Sequence, residues 1–165
     1  MMRTSNAAYA MIKHRFDQTD KYLLQINKGW NNQYNFISGH IEPEDDNNYQ
    51  NTIIREVEEE LPPIKYKKEF LVSSLIKKPL KTQAYSISAK KETKYTFYFF
   101  HITFLVNFDN LNFLWAPQNN DNQWFTEAEL ISGYGIKNEK ITNFPVPQII
   151  QFLPGGLKKI PESFI

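Results

Sequence analysis

Four glutamates and one arginine lie within nine positions of the sequence, in the stretch IIREVEEEL at residues 53–61. On a helix, Glu56, Glu59 and Glu60 fall at i, i+3 and i+4 and therefore share one face. Their Cβ atoms would be about 5–6 Å apart, so their carboxylate oxygens could converge on one divalent ion. The alternative is an ordinary solvated helix face, which is what most charge-rich runs form.

The other residues of this stretch indicate how the acids would be held. Four of them form an apolar stripe that would fasten the helix to a sheet: Ile53, Ile54, Val57 and Leu61. Glu58 lies about 100° round the helix from its neighbours, and we expect it to be solvated. Arg55 precedes Glu59 by four residues, so it can pair with that acid or brace a carboxylate in the preceding loop.

Hydrophobic periodicity predicts the elements that position this helix. Strands are predicted at residues 7–13, 21–26, 34–42, 70–76 and 94–106, and helices at 49–61 and 145–153. Residues 124–135 combine a short strand with a short helix that Thr126 would cap, with Glu129 as its capping-box partner. The pattern predicts an α/β or α+β sandwich, with a mixed β-sheet packed between helices, in a single domain of residues 1–165.

Composition narrows the function classes. The chain of 165 residues has a formal net charge of +1, which argues against a main role in neutralising nucleic-acid phosphates. It contains no cysteine, so a disulfide, a thiolate nucleophile and a cysteine-ligated metal are excluded. No apolar run reaches membrane-spanning length, and we expect a cytoplasmic protein without a membrane partner.

The segment from Gly39 onward, GHIEPED followed by REVEEEL, resembles the signature of the Nudix hydrolases. In that family the pattern is G-x5-E-x7-R-E-hydrophobic-x-E-E-x-G-hydrophobic. Here Gly39 is followed by five residues and then by Asp45 in the glutamate position, and residues 55–60 reproduce the R-E-hydrophobic-x-E-E core. A Nudix-like α+β sandwich is the fold that this resemblance implies.

The sequence departs from the family pattern at four places. Ser38 replaces a second glycine, and Asp45 replaces the first glutamate with a shorter acid. Nine residues separate Asp45 from Arg55 where the family has seven. Pro62 and Pro63 occupy the closing x-Gly region. These differences affect the loop and the helix end, and they leave the three acids of the shared face in place.

The resemblance implies an Mg²⁺- or Mn²⁺-dependent hydrolase that cleaves a nucleoside diphosphate linked to another moiety. In family terms, the metal ligands are Glu56, Glu59 and Glu60 together with the backbone carbonyl of Gly39. Arg55 would brace the carboxylates, with Asp45 as one partner. The general base would be Asp121, the one acid in QNNDNQW, or Glu60; a turn-forming role for Asp121 is an equal alternative.

The resemblance favours ADP-ribose or a related nucleotide sugar as substrate. Pro79 lies near the position of a proline that often marks ADP-ribose hydrolases in this family. Trp30 and Phe36 could stack on a base, although core packing explains Phe36 equally well. The alternatives are a nucleoside triphosphate or cap-like substrate, or a Nudix-shaped module that senses a nucleotide without cleaving it. Homodimers are frequent in this family, and a homodimer is one assembly that the resemblance allows.

Overall fold

The computed structural model describes residues 2–86, 88–111, 121–142 and 146–165, apart from the side chain of Trp30. Its strands are β1 (Arg3–Met11), β2 (Lys13–Phe16), β3 (Thr19–Asn27), β4 (Gln33–Asn35), β5 (Ile37–His40), β6 (Phe70–Ser74), β7 (Leu80–Ser86), β8 (Lys91–Phe104) and β9 (Asn122–Thr126). Its α-helices are α1 (Tyr49–Glu60), α2 (Phe108–Leu111), α3 (Glu127–Ser132) and α4 (Val146–Phe152). None of the helices in these ranges has the length and apolar character that crossing a bilayer requires.

The strands form two sheets. The first has the order β5-β1-β8-β6, with β7 also paired to β8. It is mixed, because β1 runs parallel to β8 whereas β5, β6 and β7 pair with their neighbours antiparallel. In the second sheet, β3 pairs with β2, β4 and β9, all antiparallel. The predicted mixed α+β sandwich is confirmed, with the strands divided between two sheets rather than one.

Helix α1 covers one face of the mixed sheet. Its apolar stripe is buried there, with Ile53 and Val57 both at 0% exposure among alternate residues of β1 and β8 such as Ala8 and Ile102. The opposite face of the mixed sheet packs on the second sheet and on α4, through Tyr9, Phe97 and other aromatic rings. Both faces of β8 are therefore buried, as the doubly apolar sequence at 94–106 predicts.

Sequence signals at the helix ends are reproduced in the structure. Asn48 caps α1 by accepting a hydrogen bond from Gln50 N, and Leu61 ends the helix immediately before Pro62. Thr126 and Glu129 form the predicted capping box of α3. The acids of residues 53–61 are thus displayed on a helix whose start, end and buried face are all fixed.

Three segments differ from the prediction. The turn between the strands predicted at 7–13 and 21–26 is only two residues long, with Asp17 at φ 52°, so the residues on either side of it pair as strands β2 and β3. The segment 34–42 divides into β4 and β5, which belong to different sheets. Strand β7 was not predicted, because its sequence LKTQAYS is mostly polar. Among the described strands it pairs only with β8, and its alternate residues are only partly buried apart from Ser86.

Candidate metal-binding and catalytic site

Gly39 in β5 lies directly against α1. A Cβ atom added at Gly39 would collide with the Glu56 carboxylate, which occupies the space where a side chain would project. The backbone φ of Gly39 is not in the left-handed region. This glycine is therefore required for the close approach of the helix and not for an unusual backbone conformation.

Arg55 is the electrostatic centre of the site. Its guanidinium Nε and Nη2 donate to the two carboxylate oxygens of Asp45 at 3.1 and 3.0 Å, and Nη2 also donates to the His40 carbonyl at 3.1 Å. Its Nη1 donates to Glu56 Oε1 at 2.8 Å and lies 3.7 Å from Glu59 Oε1. The predicted bracing contact with Asp45 is present, and it is bidentate.

Asp45 is buried at 2% exposure in a short 3-10 turn that precedes α1. Besides Arg55, its carboxylate accepts hydrogen bonds from the Thr52 hydroxyl and from Glu42 N, each at 2.9 Å. These hydrogen bonds, above all that from Arg55, lower the pKa of Asp45 to about 2. The shorter acid in the family's glutamate position thus reaches the arginine from the turn that precedes α1.

The three acids of the shared face experience different environments. Burial raises the pKa of Glu56 to about 7 against the opposing effect of Arg55, and repulsion from Glu59 and Glu60 adds to the rise. The Glu59 side chain is 57% exposed. Partial desolvation in the cleft raises the pKa of Glu60, with repulsion from Glu59 and Asp121 adding to it. Their mutual effects show that the acids share one electrostatic field.

The predicted convergence of these carboxylates on a single point is not seen. Within the described ranges, no three His, Asp or Glu side chains are grouped closely enough to hold a metal ion. The reason is local: Glu56 is held by Arg55, while Glu59 extends into solvent. The donor chemistry nevertheless suits a hard divalent cation, because carboxylate and carbonyl oxygens are the ligands that Mg²⁺ and Mn²⁺ prefer.

A cleft of about 380 Å³ opens beside the acid-bearing helix. Glu60 and Asp121 line it together with Ser38, the residue before Gly39. Asp121 is 55% exposed on its side chain, and its Oδ1 lies 3.8 Å from Lys28 Nζ. The two candidates for the general base therefore lie on one cleft, and they come from α1 and from the segment that leads into β9.

The residues predicted to contact the substrate are not exposed in the cleft among the residues that the structure describes. Phe36 lines the cleft but is only 2% exposed and packs in the core, so the core-packing alternative describes its ring. Pro79 lies just before β7 and does not line the cleft. The side chain of Trp30 is outside the described residues, and its backbone belongs to a 3-10 turn after β3.

Two contacts of polar residues near the site were not predicted. Glu58 is not simply solvated as expected, because its Oε2 accepts a hydrogen bond from Tyr66 N at 3.0 Å and ties α1 to the following loop. His40 was not predicted as a partner of Arg55, since the contact is made by its backbone carbonyl. A backbone contact of this kind leaves no signal in the residue types.

No family model and no curated protein matches the sequence. Solved structures do match the fold. The NUDIX domain of Shewanella oneidensis NrtR complexed with ADP ribose has a TM-score of 0.54 at 14% identity over 92% of this chain and 86% of that chain. The C. elegans Ap4A hydrolase has a TM-score of 0.53 at 17% identity over 80% of this chain and 86% of that chain.

The similarity to longer NrtR chains is partial. Two structures of S. oneidensis NrtR, one complexed with a 27mer DNA, have TM-scores of 0.51 and 0.52 at 17% and 18% identity, over 77% and 76% of this chain. The chain spans 54% and 52% of the length of those two chains. One of these structures is a complex with DNA, so the similarity does not exclude nucleic acid as a partner. The sheet arrangement, the glycine against the acid-bearing helix and these matches lead to one conclusion about architecture: the chain has the Nudix fold.

Proposed function

We propose that this protein is a pyrophosphohydrolase that uses Mg²⁺ or Mn²⁺ to cleave a nucleoside diphosphate linked to another moiety. The observation that carries the proposal is the contact between Gly39 and Glu56, held by Arg55 beside a cleft. This contact brings the strand that carries the Gly39 carbonyl close to the helix that carries the carboxylates, as the family motif requires. ADP-ribose or a related nucleotide sugar is the favoured substrate.

The metal ligands in this proposal are Glu56, Glu59, Glu60 and the Gly39 carbonyl. A divalent ion bound there would neutralise phosphate charge and lower the pKa of a bound water. The residues of the chain supply the rest. Arg55 holds Glu56 in place, and because Asp45 fixes the other edge of its guanidinium, Arg55 cannot swing away from the helix.

Proton removal from the attacking water falls to Asp121, with Glu60 as the competing candidate. Asp121 lines the cleft without being engaged by Arg55, and its exposed carboxylate can reach a water molecule. Glu60 lines the same cleft but is also assigned to the metal. Trp30 and Pro79 are retained as substrate-contacting candidates from the sequence only, and Phe36 is assigned to the floor of the cleft.

Two of the matched structures support the substrate class. One of these proteins is crystallised with ADP ribose, and another is described as an Ap4A hydrolase. In both compounds a chain of phosphates joined by anhydride bonds links an adenosine to a second group. The alternative of a nucleoside triphosphate or cap-like substrate shares the same bond type. A nucleotide-sensing module without turnover is favoured by one observation, namely that the three acids do not converge.

The decisive experiment is a product-release assay over a panel of nucleoside-diphosphate compounds, with Mg²⁺ and with Mn²⁺ in parallel. Metal-dependent release from ADP-ribose or a nucleotide sugar is the expected result. Cleavage of nucleoside triphosphates alone would show that the substrate is a triphosphate and not ADP-ribose or a nucleotide sugar. Tight binding of ADP-ribose, measured by calorimetry, with no product after prolonged incubation in either metal would establish the sensing module instead.

A further inference from the structure

The cleft continues beyond the acid-bearing helix along the face of the mixed sheet that is turned away from α1. A second cavity of about 350 Å³ shares Asn27, Asn35 and Ser38 with the first. Its far end is lined by Arg3 on β1 and by Ser86 at the end of β7. A ligand anchored near Gly39 therefore has a continuous path to a region that the proposed cleavage chemistry does not use.

Arg3 is the cation of this second cavity. Its Nη1 donates to Thr93 Oγ1 at 3.2 Å, and the Thr93 hydroxyl in turn donates to the Lys91 carbonyl at 3.2 Å. Thr93 is fully buried, so the hydroxyl that holds Arg3 is itself fixed. Among the described residues, no carboxylate oxygen lies within 4.0 Å of the Arg3 guanidinium. An arginine has five N–H donors, and one of them makes this hydrogen bond.

Strand register places further donors beside Arg3. Arg3 pairs with Thr93, and Ser86 pairs with Lys91 two residues earlier on β8. Paired residues point to the same face of a sheet, and residues two apart on one strand do so as well. Arg3, Ser86 and Lys91 therefore share one face of the sheet, and Arg3 and Ser86 line the cavity on that face. A guanidinium and a hydroxyl group there form a donor pair for an oxyanion, and the exposed ammonium group of Lys91 adds positive charge beside them.

The charge of the surrounding hairpin points in the same direction. Residues 77–94, which contain β7 and the start of β8, carry six lysines and one glutamate, a formal charge of +5 in a chain whose total is +1. The remainder of the chain is therefore net acidic. Lys90 and Lys91 lie at the end of the hairpin that carries Ser86, and positive charge there attracts the anionic end of a ligand.

The separation from the acid-bearing helix is set by β1. Ala8 pairs with Gly39, and Arg3 lies five residues earlier on the same strand, about 16 Å away at the rise of an extended chain. The arginine side chain extends from its strand and shortens the gap. A nucleoside unit can bridge the distance that remains between the two ends of the cleft.

We propose that the Arg3 end of the cleft binds a second phosphate group, carried by the nucleoside on the side remote from the scissile pyrophosphate. This inference rests on the proposed function for the orientation of the nucleotide, and it narrows the substrate class to nucleotides that carry an additional phosphate ester. The planar fork of Arg3 suits a phosphate better than a neutral sugar hydroxyl, because it makes two parallel charge-assisted hydrogen bonds to phosphate oxygens.

The test is an equilibrium binding measurement by calorimetry in the presence of Mg²⁺. The probes are adenosine 5′-monophosphate and adenosine 2′,5′-bisphosphate, neither of which contains a pyrophosphate bond. Binding is therefore read out without turnover, and it can succeed or fail independently of the hydrolase assignment. We expect the bisphosphate to bind at least about tenfold more tightly than the monophosphate, as a charge-assisted contact to one phosphate provides.

Two variants assign the preference to Arg3. R3Q is expected to reduce the ratio of the two affinities to about one, while R3K, which keeps the charge and loses the fork, is expected to give an intermediate ratio. K81M is the matched control, because Lys81 pairs with Thr96 and therefore lies on the opposite face of the same hairpin. K81M is expected to keep the ratio of the unmodified protein.

Three results would overturn the proposal: equal affinities for the two probes in the unmodified protein, an undiminished ratio in R3Q, or an equal loss of the ratio in K81M. A 5′-phosphorylated adenosine dinucleotide distinguishes the two sources of a second phosphate. If it gains affinity as the bisphosphate does, the group recognised is the phosphodiester of an oligonucleotide end. If only the bisphosphate gains affinity, the ligand is a small phosphorylated nucleotide.

Discussion

The carboxylate of Glu56 occupies the space into which any side chain at position 39 would project. A strand of the mixed sheet and the acid-bearing helix are consequently closer at this point than two elements with full side chains would be. Arg55 holds the same carboxylate from the other side with a 2.8 Å hydrogen bond. The position of Glu56 thus depends on the absence of a side chain at Gly39 in β5 and on the charged partner Arg55 in α1.

Gly39→Ala is expected to lower turnover at least about 100-fold, because the added methyl group displaces Glu56. Overpacking of this kind also costs about 1–3 kcal/mol of unfolding free energy. The measurements are the product-release assay and urea unfolding. Combining Gly39→Ala with Glu56→Ala, which removes each Glu56 atom that the added methyl group would meet, is expected to restore stability while turnover stays low. A fully active Gly39→Ala variant would contradict the assigned role of this contact.

Glu59→Gln is expected to abolish metal-dependent turnover and to leave the thermal unfolding midpoint unchanged, because its side chain is 57% exposed. The matched control is Glu58→Gln, one residue earlier, since a glutamine oxygen can still accept the hydrogen bond from Tyr66 N. The control is expected to remain active. Unchanged turnover in the Glu59 variant would remove this residue from the metal ligands.

Asp121→Asn is expected to lower kcat by a factor of about 10² to 10⁴, the usual contribution of a general base, without weakening metal binding. The comparison variant is Glu60→Gln, which is expected to weaken metal binding as well as turnover. Both are measured by titrating Mg²⁺ at saturating substrate. Full activity of the Asp121 variant would transfer the role of the base to Glu60 and leave Asp121 as a turn residue.

Asp45→Asn is expected to destabilise the protein at neutral pH by about 2 kcal/mol, because one pKa unit corresponds to about 1.4 kcal/mol. The folded-state pKa of Asp45 is lowered from 3.8 to about 2. Its contribution to stability is therefore fully present above pH 3.8 and is lost as the pH falls through about 2. Urea unfolding at pH 7 and at lower pH values measures this change.

Asp46→Asn provides the control for Asp45. Asp46 is exposed and adopts φ 53°, a conformation that asparagine tolerates, so this variant is expected to be as stable as the unmodified protein. A stability difference between Asp45→Asn and the unmodified protein that stays constant from pH 7 to pH 2 would show that the ion pair with Arg55 is not its source.

The helix that carries the acids could be predicted closely because every signal for it is local. The apolar stripe, the Asn48 cap and the proline after Leu61 all lie within the segment that they define. Strand β7 lacks such signals, since the partial burial of its alternate residues depends on pairing with β8, between 5 (Ser86 with Lys91) and 17 (Leu80 with Phe97) positions further along the chain. The division of residues 34–42 between two sheets is likewise a tertiary effect.

The candidate site shows the same limit. The ion pair between Arg55 and Asp45 followed from charge and spacing, and the structure contains it. The engagement of Glu58 by the Tyr66 amide did not follow, because a backbone donor leaves no signal in the residue types. The choice between base stacking and core packing for Phe36 stayed open in the sequence, because its burial depends on segments that are distant along the chain. Arg3 was not considered, since a lone arginine in a first strand gains significance only when pairing places it at the end of a cleft.

The parallel pairing of β1 with β8 is continuous from Arg3 to Met11. β1 therefore fixes the distance between Ala8, which pairs with Gly39, and Arg3, which lies at the far end of the cleft. Inserting one residue between Arg3 and Ala8 would turn the arginine to the other face of the sheet. Inserting two would keep its face and lengthen the distance by about 7 Å. In the proposed binding mode, strand register therefore sets the length of ligand that spans the cleft, and an insertion in β1 changes that length without altering the acid-bearing helix.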